Sequence, residues 1–500
     1  MSVEGLLIIG ILLSSFLPGV IIFFLREENH LGRSFLNLLG AGIKLILVAV
    51  LLWEVYRFPD QVDAIRWSIL PGIDLALGAD ATSILFVTLS SVLWLLTTIY
   101  AIGYLEGAPH RSRFFGFFSL CVTATVGIAL SANLLTFLVF YELLTVSTYP
   151  LVVHRGTAEA MAGGKMYLTY TLIGGAVLLL GVAWLYSLAG SVEFAERGVL
   201  DSLVASHSWE LKVIFWMLIA AFGVKTALVP LHGWLPRAMV APAPVSALLH
   251  AVAVVKAGAF GIVRIVYDVY GIQTAADLEL LHPLAIIASI TIVYGSIRAL
   301  FQDELKKRLA YSTVSQVSYI VLGTAMLGPL ATTGGLVHLV HQGILKITLF
   351  FGAGNYAETL NIHRVSAMNG IGRRLPLTTI AFSISALGMI GLPPMAGYVS
   401  KSYLQAGAIQ AGEGWVLWVL GASSLLNAAY FLPILFRAWF LKPPVEWPEE
   451  RSFGRWETHW MLLVPPLATS VLVLYAGLFA ESPFSPLAWV KLIAARESGE

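Results

Sequence analysis

Stretches of about twenty apolar residues, each long enough to cross roughly 30 Å of hydrocarbon as a helix, follow one another along almost the whole chain with only short polar turns between them. Fourteen of them, numbered here as spans 1 to 14, cover residues 5–25, 34–56, 81–104, 114–131, 133–153, 162–189, 210–239, 244–268, 281–301, 308–328, 332–356, 376–412, 414–440 and 458–480. Strand-like alternation at about ten-residue spacing is absent, so the pattern predicts an all-α polytopic membrane protein rather than a barrel, with no room for a soluble domain. The first run, Gly5 to Leu25, lacks a basic leader and a small-residue cleavage site and reads as a retained helix.

Spans 7 and 12 are too long for one straight crossing and carry breakers at mid-length: Pro230 and Pro236 in the first, Gly391-Leu-Pro-Pro-Met-Ala-Gly397 in the second. Broken helices at corresponding places predict two inverted five-helix repeats, spans 4–8 and spans 9–13. No letter-by-letter repeat accompanies them, so this division rests on topology. It separates residues 1–110 (spans 1–3), 111–270 (first repeat), 271–440 (second repeat) and 441–500 (span 14 and the C-terminal tail).

Basic residues orient the bundle. One set of loops holds Arg26, Arg33, Arg111, Arg113, Arg155, Lys306, Lys307, Arg308, Arg364, Arg373, Arg374, Lys442, Arg451 and Arg455, while the opposite loops hold little beyond Arg57, Arg66, Arg197 and the tail. The positive-inside rule makes the first set cytoplasmic and, with an even span count, places both termini outside. Composition agrees: 58% of residues are hydrophobic and 12% charged, against about 25% charged in soluble proteins. A net charge of +1 offers no field for nucleic acid, so partners are expected in the bilayer. The single cysteine, Cys121, excludes a disulfide framework, an iron–sulfur cluster and a cysteine-based zinc site.

Against this apolar background the ionisable residues stand out, because each costs about 3 kcal/mol or more in mid-bilayer unless it meets water or a partner. Glu142 lies halfway along span 5, Lys225 halfway along span 7 just before Pro230, and Lys256 centrally in span 8 with His250 two turns earlier. Span 11 adds His338, His341 and Lys346, and Lys401 follows the break in span 12. The chemistry suits proton transfer: a carboxylate beside a lysine changes whether the lysine holds its proton, and histidine titrates near neutral pH unaided. Hydroxyls of Ser312, Ser315 and Thr348 are expected to bridge the groups, and carbonyls freed at the two breaks to hydrate the path or bind a cation. Plainer readings stand beside these: Glu142 in a static salt bridge with a lysine, His250 as a packing residue, and Lys346 and Lys401 snorkelling to the surface. His338 and His341 share a face at i, i+3 but lack a third ligand, so no metal is expected. Lys44, in mid-span 2, is expected to meet a neighbouring subunit or a lipid headgroup, and Lys165 lies near the start of span 6.

The run Phe222-Gly-Val-Lys-Thr-Ala-Leu-Val-Pro-Leu-His-Gly-Trp-Leu-Pro236, then Ala241-Pro-Ala-Pro-Val-Ser-Ala-Leu-Leu-His250 and Lys256-Ala-Gly258, resembles the signature of the antiporter-like proton-conducting subunits. These occur in Mrp sodium/proton antiporters, respiratory complex I and membrane-bound hydrogenases. Asp303-Glu-Leu-Lys-Lys-Arg-Leu-Ala-Tyr-Ser-Thr-Val-Ser-Gln316, His341-Gln-Gly-Ile-Leu-Lys346 and Gly352-Ala-Gly354 are similar to further family segments, and the likeness runs from about Asp80 to Arg437. It implies fourteen helices with two inverted repeats. It also implies that Glu142 and Lys225 form an inlet pair, that Lys256 with His250 links the halves, that His338, His341 and Lys346 form a relay, and that Lys401 ends the outlet. Gly397-Tyr-Val-Ser-Lys-Ser-Tyr-Leu404 looks closest to the D-type subunits of Mrp antiporters, and a long lateral helix found in the largest complex I relative is lacking. The function implied is a proton-translocating subunit of a multisubunit membrane complex, a D-type subunit of an Mrp Na+/H+ antiporter first and a complex I or hydrogenase-type subunit as the alternative. Such a subunit holds no cofactor, carries out no redox chemistry of its own, and works with other membrane subunits, protons and sodium.

Overall fold

The computed structural model describes residues 3–57 and 64–498. Helices α1 (Val3–Phe23), α2 (His30–Arg57), α3 (Ala81–Tyr104), α4 (Arg111–Ala129), α5 (Leu134–Val152) and α6 (Ala158–Ala189) occupy spans 1 to 6. Span 7 holds α7 (Val204–Thr226) and the one-turn α8 (Trp234–Arg237). Span 8 holds α9 (Ala243–Ala251) and α10 (Val254–Arg264), which continues as a π turn to Tyr270. After the short α11 (Ile272–Asp277), spans 9 to 11 hold α12 (Leu281–Leu300), α13 (Leu305–Thr324) and α14 (Pro329–Leu360). The one-turn α15 (Ile371–Arg374) leads to span 12, divided into α16 (Pro376–Ile390) and α17 (Ala396–Gln410), then α18 (Val416–Phe440), α19 (Trp460–Leu478) and α20 (Pro486–Ser498).

Every apolar stretch of the sequence therefore holds a helix or a pair of helices, and among the described residues 12 segments are long and apolar enough to cross a membrane. The two that fall outside that number are α13, which begins Leu305-Lys306-Lys307-Arg308, and the pair α16 and α17, each too short alone. The chain is a polytopic integral membrane protein.

Burial sorts the bundle. The segment 243–270 and α14 are enclosed along their length, whereas α1, α2 and α6 present apolar outer faces such as Leu13, Phe16 and Leu17. Helix α14 is the axis, packed by α3, α9, α13, α16, α17, α19 and α20. Glycines allow the closest approaches: a Cβ at Gly258 of α10 would lie 2.5 Å from the Thr226 amide nitrogen, so α10 rests directly on the end of α7.

The structure corrects or sharpens several expectations. Helix α7 stops at Thr226, where Ala227 turns left-handed (φ 63°), three residues before Pro230, so Lys225, at the middle of span 7, lies in the last turn of its helix and the break begins before the proline. Span 8 is not continuous: Val252 and Ala253 leave helical geometry, and His250 and Lys256 flank the gap. The residues there form a smooth apolar run, and nothing in their composition marks the break. Arg33 is no loop residue but lies buried in the first turn of α2, donating to Ser112 Oγ at 2.6 Å and to the Glu27 carbonyl at 3.1 Å. The C-terminal tail is a docked helix, with Trp489 Nε1 donating to the Ala81 carbonyl at 2.8 Å. Hydropathy also passes over an antiparallel hairpin, β1 (Ile65–Leu70) and β2 (Ile73–Leu77), turned at Gly72 (φ 80°) and tied to α5 by Ala76 N–H donating to Thr136 Oγ1 at 2.8 Å.

Candidate functional site

The residues singled out from sequence fall into two groups. The first is built where α7 ends. Lys225 Nζ donates to the Tyr141 carbonyl in α5 and lies 3.4 Å from the centroid of the Tyr141 ring. Trp234 of α8 folds back so that its Nε1 donates to the Val224 carbonyl at 2.7 Å. A carbonyl freed at this break is thus already capped, and the expectation that it stands open to water or a cation does not hold here. Glu142 follows Tyr141 on α5 but shares no ion pair with Lys225, so the static salt bridge is absent; its Oε1 is enclosed and has no hydrogen-bond partner in the protein. It is pressed against the backbone of α6, where a Cβ at Gly175 would lie 2.5 Å from that oxygen. The neighbouring Gly174 faces Val224, so one glycine pair brings α5 and α7 together on α6.

The second group surrounds α14. Lys256, in the first turn of α10, is fully buried and its Nζ has no hydrogen-bond partner. His250 stacks on Phe350 with centroids 4.6 Å apart, and its Nε2 lies 3.2 Å from Met239 Sδ. His338 Nδ1 meets Ser400 Oγ at 2.8 Å, its ring stacks on Tyr319 at 5.1 Å, and neither ring nitrogen of His341 has a partner. Lys346 donates to Ser312 Oγ and, at 3.2 Å, to the Leu309 carbonyl. Lys401 donates to the Met389 and Ile390 carbonyls at 3.0 and 2.9 Å and to Ser424 Oγ at 3.2 Å. The carbonyls freed at the break in span 12 are therefore held by the lysine itself.

Electrostatics joins this second group. His338 lies within Coulombic range of Lys256, Lys401 and His341, Lys346 within range of Lys256, and His250 within range of Lys346. Neither Lys346 nor Lys401 snorkels; both are buried. Of the three expected hydroxyl bridges only Ser312 touches a lysine. Ser315 pairs with Ser296 at 2.8 Å and Thr348 with Thr469 at 2.7 Å, because the first faces α12 and the second α19. The two groups approach each other through the contact of α10 with the end of α7 rather than through a shared hydrogen bond.

Lys44 is a further correction. It points inward, fully buried, donates to Ser15 Oγ at 2.7 Å and lies 4.9 Å from the Trp94 ring, so it meets neither lipid nor a neighbouring subunit. Lys165 is exposed on α6.

Sequence reasoning missed the aromatic partners Tyr141 and Tyr319, the Gly174-Gly175 pair, and an ion cluster at the end of α10 in which Arg264 and Asp268 are buried and Asp80 is half-buried. There Arg264 Nη1 donates to Asp80 Oδ2 at 2.6 Å and to Asp268 Oδ2 at 2.8 Å, and Nη2 donates to Asp80 Oδ1 at 3.0 Å and Ser83 Oγ at 2.8 Å. The signal was present as an i, i+4 pair of opposite charge inside an apolar run. Asp80 also caps α3 by accepting from Ser83 N–H at 2.6 Å.

Comparison with known proteins places this arrangement. The family described as "NADH:quinone oxidoreductase/Mrp antiporter, TM" matches residues 131–427, and that described as "NADH-Ubiquinone oxidoreductase (complex I), chain 5 N-terminus" matches residues 70–115. The NADH-quinone oxidoreductase subunit N of Desulforudis audaxviator is 37% identical over 431 residues, covering 83% of each chain. The D-type subunit of the Na(+)/H(+) antiporter of Bacillus subtilis is 28% identical over 475 residues, covering 94% of this chain and 93% of its own. Some relatives are longer, and of the NAD(P)H-quinone oxidoreductase chain 5 of Synechocystis sp. this chain spans 59%. A chain in the structure of the Mrp complex from Dietzia sp. shares the fold with a TM-score of 0.83 over 100% of this chain and 98% of that one, at 24% identity. With more than half of its length matched and a relative of this identity over most of it, the chain belongs to the NADH:quinone oxidoreductase/Mrp antiporter transmembrane family.

Proposed function

We propose that the chain is the proton-translocating subunit, of the D type, of an Mrp Na+/H+ antiporter. Protons move along Glu142, Lys225, Lys256, His250, Lys346, His341, His338 and Lys401. The observation that carries this reading is the set of four buried lysines, Lys225, Lys256, Lys346 and Lys401, spread over four spans and, among the described residues, in no ion pair. Arg264, outside the row, is instead paired with two carboxylates, which offsets the several kcal/mol that an unpaired buried charge costs. Lysines left unpaired on four spans of the bundle are free to exchange protons. Coverage of the Bacillus subtilis antiporter chain along nearly its whole length supports the antiporter assignment.

The wider organisation belongs to the same proposal. Fourteen membrane spans form two inverted repeats, spans 4–8 and 9–13. The breaks after Lys225 and before Lys401 are the counterparts that support it. The chain resides in a bacterial or archaeal cell membrane with the Arg26, Arg111, Arg113 and Arg155 loops in the cytoplasm and both termini outside. Other membrane subunits complete the complex.

A second reading, a proton-pumping subunit of a complex I-type assembly, is favoured by the identity to the Desulforudis audaxviator oxidoreductase chain. Proton and sodium flux in vesicles holding the native complex separates the two. Sodium-driven proton flux without an electron donor, lost in Lys225→Ala and Lys401→Ala, is the expected result. Flux that appears only with NADH or another donor assigns the second reading, and wild-type flux in both variants refutes the lysine row.

A further inference from the structure

A cavity of about 320 Å³ lies on the basic-loop side between the two halves of the chain. Its mouth is formed by Arg155 and His363, both exposed, and by Lys306, which reaches across the halves to donate to the Ala241 carbonyl at 2.6 Å. Small residues keep its wall open: Ala243 faces Ala353, Gly354 and Ala357 of α14. A Cβ at Gly354 would meet the Ala243 methyl at 2.7 Å.

The inner wall is Met239, itself almost fully buried, and behind it lies His250, whose Nε2 is 3.2 Å from the thioether sulfur. His250 Nδ1 has no hydrogen-bond partner in the protein. Beyond His250, Lys346 is within Coulombic range. Met239 therefore touches both the cavity and a member of the buried row. A thioether carries no exchangeable proton and accepts hydrogen bonds only weakly, so it cannot relay. It is also unbranched and flexible, so it can swing aside.

We propose that this cavity is the aqueous access from the basic-loop side to the buried row, that it delivers protons to His250 between the two groups, and that Met239 is its gate. The inference rests on the proton-translocation reading above. With Met239 turned away, Nε2 faces the cavity water, and in the tautomer that carries its hydrogen on Nδ1 it takes a proton from hydronium: an O–H bond breaks, its electron pair stays on the water, and an N–H bond forms. With Met239 in place the imidazole is sealed. Access then reaches the row beside His250, at its middle, while Glu142 and Lys225 remain members of the same row.

The chain offers a clean background for the test, because Cys121 is its single cysteine and is buried. In a Cys121→Ala background, Met239→Cys and, on the cavity wall, Ala357→Cys are assembled into the native complex in vesicles of known orientation. A membrane-impermeant methanethiosulfonate bearing an ammonium group is applied to one side at a time. The flux of the same vesicles before reagent is the reference. Modification from the basic-loop side, with a loss of proton flux of about tenfold or more that a thiol reductant reverses, is the expected result. Modification only from the opposite side, or modification that leaves flux intact, overturns the proposal. Should Met239→Cys not assemble, Ala357→Cys decides the access route alone. Met239→Ala tests the gate: proton flux in the absence of the exchanging cation rises about threefold or more if Met239 seals His250, and an unchanged leak removes it from that role. Vesicles of the unaltered complex that carry no proton flux count against the translocation reading and leave the cavity's accessibility to the labelling result.

Discussion

Replacing Gly175 by alanine moves one carboxylate without changing any charge. A Cβ at this position would lie 2.5 Å from Glu142 Oε1 and 2.8 Å from its Cδ. Ordinary contact begins near 3.4 Å, so the carboxyl group must retreat from α6 by about 0.9 Å. The side chain is long enough to do so, and alanine gains about 0.5–1 kcal/mol over glycine in a helix interior, so the bundle is not expected to weaken. Proton transfer is sensitive to placement, and a shift of about 1 Å can cost roughly a hundredfold. Vesicles with the Gly175→Ala complex should therefore hold normal amounts of assembled complex and show proton flux reduced about tenfold to a hundredfold. Gly181→Ala, on the same helix but facing Leu218 at 3.0 Å, is the control and should transport normally. A Gly175→Ala complex that assembles and transports within about twofold of wild type would refute the claim that the seat of Glu142 against α6 governs transfer.

Arg264→Met leaves Asp80 and Asp268 without their shared cation and should destabilise the solubilised protein by about 3–5 kcal/mol; thermal unfolding reads it, and Arg264→Lys should lose less. Gly391→Ala places a side chain at φ 96° with its Cβ 2.7 Å from Lys401 Cδ, so a cost of about 1–2 kcal/mol should accompany displaced Lys401 and reduced flux. An unchanged flux would separate Lys401 from the geometry of the break. His154, in the turn after α5, is pushed down to about 4 from the usual 6.5 by burial and by Arg113. Its neutral form is the one that fits, so stability is complete above pH 6.5 and declines as pH falls toward 4. Hydrogen exchange at the start of α4, where its ring meets Phe114 edge-on, should rise through that window, and His154→Phe should remove the dependence.

The sequence made the helices legible because bilayer thickness fixes their length and apolar composition marks it. It made the charged members of the candidate site stand out for the same reason, since Lys256 or Lys401 is conspicuous in a hydrocarbon background. What it hid has a different physics. The gap at Val252 and Ala253 lies among residues as apolar as their neighbours, so hydropathy passes over it. Pro230 was visible as a breaker, yet Ala227 ends α7, because the φ of one alanine is set by packing that no local pattern records. Tyr141 was hidden since its role comes from a carbonyl and a ring face that meet Lys225 only in three dimensions. Lys44 was misplaced because a lysine in a helix with a mostly exposed face looks like a surface group until Ser15 and Trp94 are seen to enclose it.

Lys401 makes the broken helix and its ammonium a single device. A protonated lysine has three N–H donors, and here they meet three acceptors, the Met389 and Ile390 carbonyls and Ser424 Oγ. A neutral amine has only two donors and adds a lone pair that carbonyls repel. The Met389 carbonyl also accepts from Asn427 Nδ2 at 3.1 Å, so a neutral Lys401 would leave the Ile390 carbonyl or Ser424 Oγ without it, a loss of about 1–3 kcal/mol unless the chain moves to restore it. The residues with room to move are the turn from Gly391 to Met395 that separates α16 from α17. On the proton-translocation reading proposed above, each proton leaving this lysine would tug on the joint beside it, and the helix break would convert a change of one charge into a displacement of backbone.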